Sequence, residues 1–141
     1  MTKFLRAFRP TDRHLRSLSQ KERPGLQVDL PEVRRSYLEQ GRGSFSQKEY
    51  AEALHFFSLA IEEDPNNAWG WHGRGDALQL LGDYKGSLEA YDKAIILQPT
   101  TALHYGGKSN ALRGLDQLDK ADIAKKRALA LDASIGWLFT D

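Results

Sequence analysis

A period of 34 residues runs through this chain and limits its fold more tightly than any other feature. Tyr37, Trp71 and Tyr105 stand in register, as do Gly41, Gly75 and Ser109. The same step joins Tyr50 to Tyr84 and Leu118, Ala53 to Ser87 and Ala121, and Ala60 to Ala94 and Ala128, with Ile61, Ile95 and Leu129 directly behind. Pro65 and Pro99 close the first two units, and Ala133 stands where a third proline would fall. A fixed period of this length marks stacked supersecondary units, each burying its apolar face against its neighbours.

Each unit reads as two helices. In the second, Asn67 is placed to cap a helix carrying Trp71, Leu78 and Leu81, and Gly82 offers a left-handed stop. Asp83 then caps a partner whose Leu88, Tyr91, Ala94, Ile95 and Leu97 form a stripe of helical period, and Pro99 ends it. Ser46 with Glu49 matches a capping box in the first unit, and Asp116 takes the capping place in the third. Helices are expected near 33–44, 48–63, 68–81, 84–97, 102–114 and 117–131, with Pro31 fitting the first turn of the first. Gly41 and Gly75 are small because Phe57 and Tyr91, 16 residues downstream of each, press on them from the second helix.

These columns resemble the tetratricopeptide repeat, a helix–turn–helix unit of the same length. Trp71, Gly75, Tyr91, Ala94 and Pro99 carry the likeness in one unit, and Gly41, Ala53, Phe57, Ala60 and Pro65 in the unit before it. The resemblance covers 34–133 and divides it at 34–67, 68–101 and 102–133. It implies an all-α protein, a right-handed superhelical stack of three helix–turn–helix repeats whose first helices line a concave groove. By that analogy the groove register falls on Arg35, Leu38, Arg42 and Phe45, then on Trp69, His72, Asp76 and Gln79, then on Leu103, Gly106, Asn110 and Arg113. One subtype of the family grips the C-terminal carboxylate of chaperone peptides with a Lys, Asn and Arg set. The corresponding positions hold Leu38, Arg42, Gly73, Asp76, Leu103 and Gly107, so binding of that kind is not expected.

Two departures stand out. Arg74 replaces a leucine of the family pattern, and Lys125 replaces the packing aromatic in the third unit, giving that helix the polar face of a terminal element. The first helix of the second unit is also rich in glycine, with Gly70 and Gly73 beside Gly75, and Gly106-Gly107 echo this in the third. Each glycine inside a helix costs roughly 0.5–1 kcal/mol relative to alanine. Gly70 and Gly73 do not follow from the repeat, so two readings stand: a floor cleared for a ligand backbone, or a tolerated loss.

The remaining sequence excludes more than it assigns. The formal charge is +1, which disfavours nucleic acid as partner of the whole surface, and there is no cysteine for disulfide or thiolate metal chemistry. His72 and His104 lie on adjacent first helices, but two imidazoles fall short of the ligands a metal site needs. No nucleophile elbow or phosphate loop occurs, so neither an enzyme nor a cofactor is expected. No apolar run reaches the length of a membrane span, and a cytoplasmic protein is expected. Residues 1–33 form a basic arm of net +3 against −2 for the rest; a disordered leader, contact with a partner or an anionic lipid surface, and docking on its own repeats all fit it. Residues 134–141 hold the apolar run Ile135–Phe139, expected to fold back over the last repeat or to mediate a weak homodimer. The leading expectation is an adaptor for a protein or peptide, by analogy an assembly factor for a multi-subunit complex. The alternative is a structural module self-associating through the tail.

Overall fold

A computed structural model describes residues 35–140. Six α-helices follow one another: α1 (Tyr37–Ser46), α2 (Tyr50–Glu63), α3 (Ala68–Leu80), α4 (Tyr84–Leu97), α5 (Ala102–Gly114) and α6 (Leu118–Leu131), then a 3-10 stretch, Ala133–Phe139. No strand occurs among the described residues. Each helix packs on the next, and the first helices of successive pairs also touch, α1 on α3 and α3 on α5. The fold is an all-α stack of three helix pairs.

The helix ends show how local chemistry sets the repeat. Asn67 caps α3 by accepting from the Trp69 amide at 3.0 Å, and Asp83 caps α4 through the Gly86 amide at 2.9 Å. Lys48, Gly82 and Asp116, spaced one repeat apart, turn the chain with φ of 64°, 87° and 61°. Only the glycine does so freely; a side chain in that left-handed conformation costs roughly 1 kcal/mol. Asp116 is therefore the turn residue and not the cap expected of it; Gln117 precedes α6 with no side-chain bond. The expected box at Ser46 and Glu49 also fails. Ser46 is still inside α1, its hydroxyl donating to the Arg42 carbonyl at 3.0 Å, and Glu49 precedes α2 without capping it. The capping box that does form is at Ser36 and Glu39, so α1 starts at Tyr37 and not near residue 33. Pro31 and the basic arm lie outside the described residues.

The glycines turn out to be one device. Phe57 lies between two first helices: a Cβ at Gly41 would come within 2.7 Å of its ring, and one at Gly73 within 2.4 Å. Tyr91 lies the same way between Gly75, at 2.9 Å, and Gly107, at 2.3 Å. Each aromatic thus threads between the first helix of its own unit and that of the next, and both helices must be bare there. Gly73 and Gly107 are one repeat apart, so this column does belong to the repeat. The reading of a floor cleared for a ligand is corrected, because the space is already filled. Gly70 is pressed by Ile61 at 3.2 Å and Gly106 by Leu138 at 3.0 Å.

The buried serines make a matching pair. The Ser87 hydroxyl donates to the Gly75 carbonyl and the Ser109 hydroxyl to the Ala121 carbonyl, each at 2.7 Å. Residues 75 and 109 share one column and 87 and 121 another, so the same tie between paired helices is made from opposite sides. Both hydroxyls are satisfied without water, as burial requires.

The tail closes the stack where a fourth repeat would dock. Ile135 is buried against Ala102 and Ala128, with Leu103, Leu138 and Phe139 packed around them. The Lys125 ammonium, in the column that holds Phe57 and Tyr91, lies 5.3 Å from the centre of the Phe139 ring. Ile135→Ala is expected to lower stability by about 2–3 kcal/mol through lost burial and the hole left behind. Urea unfolding followed by circular dichroism would measure it; a change within error would mean the tail adds nothing to the stack.

Candidate functional site

The first helices present a cleft of about 330 Å³ between α1 and α3. Arg42, Phe45 and Ser46 of α1 form one wall and Trp69, His72 and Asp76 of α3 the other, with Phe57 and Gly73 at the back. Arg42 is exposed, while Trp69 is half-buried. The Trp69 ring packs against the imidazoles of both His72 and His104, with centres 5.2 and 4.9 Å away.

Behind Trp69 runs a polar chain through the interior. The Nδ1 atoms of His72 and His104 are 2.9 Å apart, within hydrogen-bonding distance. His104 Nε2 meets Gln98 Oε1 at 3.1 Å, and His72 Nε2 faces Asp76 Oδ2 at 3.4 Å. The Tyr91 hydroxyl donates to the other Asp76 oxygen in a short hydrogen bond. The His104 side chain is fully buried. This chain ties α3 to α5 and both to α4 and the turn after it.

Burial dominates the titration of these groups. It holds His72 at about 4, with the nearby Arg42 charge lowering it further, and it holds His104 at about 4, with His72 adding to the effect. Burial pushes the Asp76 carboxyl up to about 6, opposed by the Tyr91 hydrogen bond, and it raises Tyr91 well above the usual phenol range, with Asp76 adding to the rise. Hydrogen-bond logic explains the order. With Asp76 ionised, His72 donates to it from Nε2 and accepts at Nδ1 from His104, whose Nε2 then needs the amide nitrogen of Gln98. One added proton turns the Gln98 carbonyl oxygen toward His104 and is shared along the chain. A second leaves no lone pair between the two Nδ1 atoms, and the bond between the imidazoles breaks.

Of the twelve positions expected to line the groove, the cleft gathers five: Arg42, Phe45, Trp69, His72 and Asp76. Leu38 packs instead on the core around Ala53, Phe57 and Ala77. Leu103 packs with the tail, and Gly106 lies under Leu138. Arg113 belongs to a separate small cleft with Ser109, Asp122 and Lys125. Arg35, Gln79 and Asn110 stand outside the cleft lining; Arg35 is exposed and the other two half-buried, with Gln79 Oε1 buried and unpartnered. The sequence placed His72 and His104 on adjacent first helices, but their contact, Gln98 and the role of the Tyr91 hydroxyl escaped it. His72 and His104 are 32 residues apart rather than one repeat, so no register shows that they meet.

Residues 68–101 match the family model of the tetratricopeptide repeat, and they carry α3, α4 and the interlocked Tyr91. The chain belongs to the tetratricopeptide repeat family. It is 33% identical over 93 residues to the STIP1 homolog of Dictyostelium discoideum, covering 66% of this chain and 16% of that protein. It is 32% identical over 100 residues to heat shock protein STI1 of Saccharomyces cerevisiae, covering 70% and 17%. The chain therefore matches less than a fifth of the length of these relatives. Among solved tetratricopeptide structures, the Arabidopsis OM64 domain superposes with a TM-score of 0.68 at 22% identity, over 69% of this chain and 80% of that one. The second such domain of Spaghetti (RPAP3), bound to the HSP90 peptide SRMEEVD, gives 0.67 at 23%, over 69% and 90%. At that identity these two structures speak for the tetratricopeptide fold. Among the described residues no helix is long and apolar enough to cross a membrane.

Proposed function

We propose that this chain is an interaction adaptor that holds a peptide segment of a partner protein in the cleft between α1 and α3. The observation that carries the reading is the juxtaposition of an aromatic, a cation and an acid on one open wall-to-wall site: Trp69, Arg42 and Asp76. Aromatic and Arg anchors dominate peptide recognition energetics, at about 2 kcal/mol or more each in favourable cases. Adaptor relatives support the class of function, and assembly of a multi-subunit complex is the role this class suggests.

The kind of peptide differs from that bound by the Spaghetti (RPAP3) domain. Of the positions that would grip a terminal carboxylate, Gly73 and Gly107 are bare and pressed by aromatic rings, while Leu38 and Leu103 are packed into apolar clusters. Arg42 alone offers a positive charge, and Asp76 opposes a carboxylate. The segment recognised is therefore internal to its protein, with an acidic group for Arg42 and a donor for Asp76. Self-association through the tail has less support, since Ile135, Leu138 and Phe139 are turned onto the chain's own helices and only Trp137 stands out.

Affinity capture from native extract with the intact chain, set beside Arg42→Glu and Trp69→Ala, tests the reading. The captured partners are expected to drop at least about tenfold with either variant. Arg42 is exposed, so its variant leaves folding untouched, and an unchanged partner set with Arg42→Glu would sink the proposal. Binding of SRMEEVD that weakens on amidating its C-terminus would overturn the internal-segment part.

A further inference from the structure

A second cleft, of about 530 Å³, lies on the side of the second helices, between α4, α5 and α6. Its floor is apolar: Leu88 packs on Leu112 and Ala124, and Ile123, 69% exposed, stands beside them. Its rim is cationic. Lys120 and Arg127 line it, and neither forms an ion pair among the described residues. The one acid in the lining, Asp92, is already matched by Lys108 at 2.8 Å. Arg127 lies over the Tyr105 ring, 5.7 Å from its centre, which holds its charge at the edge of the apolar floor.

Packing of the stack does not require this combination. One repeat earlier the places of Ile123, Lys120 and Gln117 are taken by Glu89, Gly86 and Asp83, while that of Arg127 is held by another cation, Lys93. That interface forms with two acids, Asp83 and Glu89, where this one has Gln117 and Ile123. In the second interface two acids are lost and a cation, Lys120, is gained, while Ile123 stands 69% exposed in place of a glutamate, at a cost in solvation without an added buried contact.

We propose that this cleft docks a short acidic amphipathic helix of a partner protein, with apolar side chains on Leu88, Leu112 and Ile123 and carboxylates against Lys120 and Arg127. The sign of the rim selects the acid, and the exposed apolar floor selects a peptide over a nucleic acid, whose phosphates would leave Ile123 in water. The surface is separate from the Arg42 and Trp69 cleft, so the chain presents two docking faces.

The test uses the intact chain and a fluorescein-labelled helical peptide of about sixteen residues, leucines at i, i+3, i+4 and i+7 and glutamates flanking them. Anisotropy titration is expected to show saturable binding that weakens with added salt. Ile123→Glu, and Lys120→Glu with Arg127→Glu, are each expected to lower affinity about tenfold or more. Arg42→Glu is expected to leave it unchanged. All four side chains are exposed, and circular dichroism confirms folding of each variant. The proposal is overturned by absence of saturable binding, by affinity indifferent to Ile123→Glu, or by loss on Arg42→Glu. It is also overturned if a lysine-for-glutamate peptide or a duplex DNA of similar length binds as well, or if sedimentation shows a dimer that Ile123→Glu abolishes.

Discussion

Gly107→Ala is expected to destabilise the chain by about 2–3 kcal/mol, although helix propensity alone would predict a gain of up to about 1 kcal/mol. The added methyl would sit 2.3 Å from the Tyr91 ring. That ring is 1% exposed, flanked on its other side by Gly75, and its hydroxyl is held by Asp76. It has no rotamer to retreat to, so the helices themselves must part, as overpacked cores do. For a domain of this size the midpoint of thermal unfolding falls by about 10–20 °C. Gly43→Ala is the control: it lies in α1, where an added Cβ meets nothing within 4 Å, and it is expected to raise the midpoint slightly. Thermal scans of the two variants decide the matter. If both rise together, the interlock of Tyr91 does not set the spacing of α3 and α5.

The buried imidazole pair is expected to make the protein acid-labile between pH 6.5 and 4. In the unfolded chain both histidines take up protons near 6.5, while in the fold they resist until about 4. The unfolded state therefore binds more protons in that window, and stability falls as pH falls. Asp76 acts in the opposite direction. Raised to about 6 from 3.8, it lets the folded state take up one proton that the unfolded state does not, which offsets part of the loss. Two histidine protons against one carboxyl proton leave a net loss of about 3 kcal/mol across the window. Arg42 from α1 repels added charge on His72, and Tyr91 from α4 holds Asp76, so both reinforce the arrangement. Urea unfolding at pH 7 and at pH 4.5 measures the difference. In the double variant His72→Gln with His104→Gln the dependence over this range is expected to flatten. An equally steep loss in that variant would place the acid sensitivity elsewhere. Asp132, held below its ordinary value mainly by the Ser134 hydroxyl, contributes only at lower pH, where its stabilising charge is lost.

The first cleft shows where register reasoning succeeds and where it stops. Analogy with the tetratricopeptide repeat put Arg42, Trp69 and Asp76 on the inner face of the first helices, and the three line one cleft. Leu103 and Arg113 obey the same spacing but leave the site, because the tail covers one end of α5 and the other opens beside Ser109 and Lys125. Spacing fixes the direction of a side chain along its helix; it does not fix what another segment lays over it.

By itself the sequence determined the helix pairs, their period and the aromatic–glycine contacts within each unit, because those depend on neighbours a few residues to one repeat away. Asn67, Gly82 and Asp83 announce helix ends through local backbone chemistry, and they end helices as they announce. Only the tertiary structure decided why Gly73 and Gly107 are glycine, since the rings they admit come from the preceding unit. It also decided that His72 and His104 meet through their Nδ1 atoms. Contacts between repeats depend on how far apart the helices settle, and that distance is set by the packed aromatics together, not by any one stretch of chain.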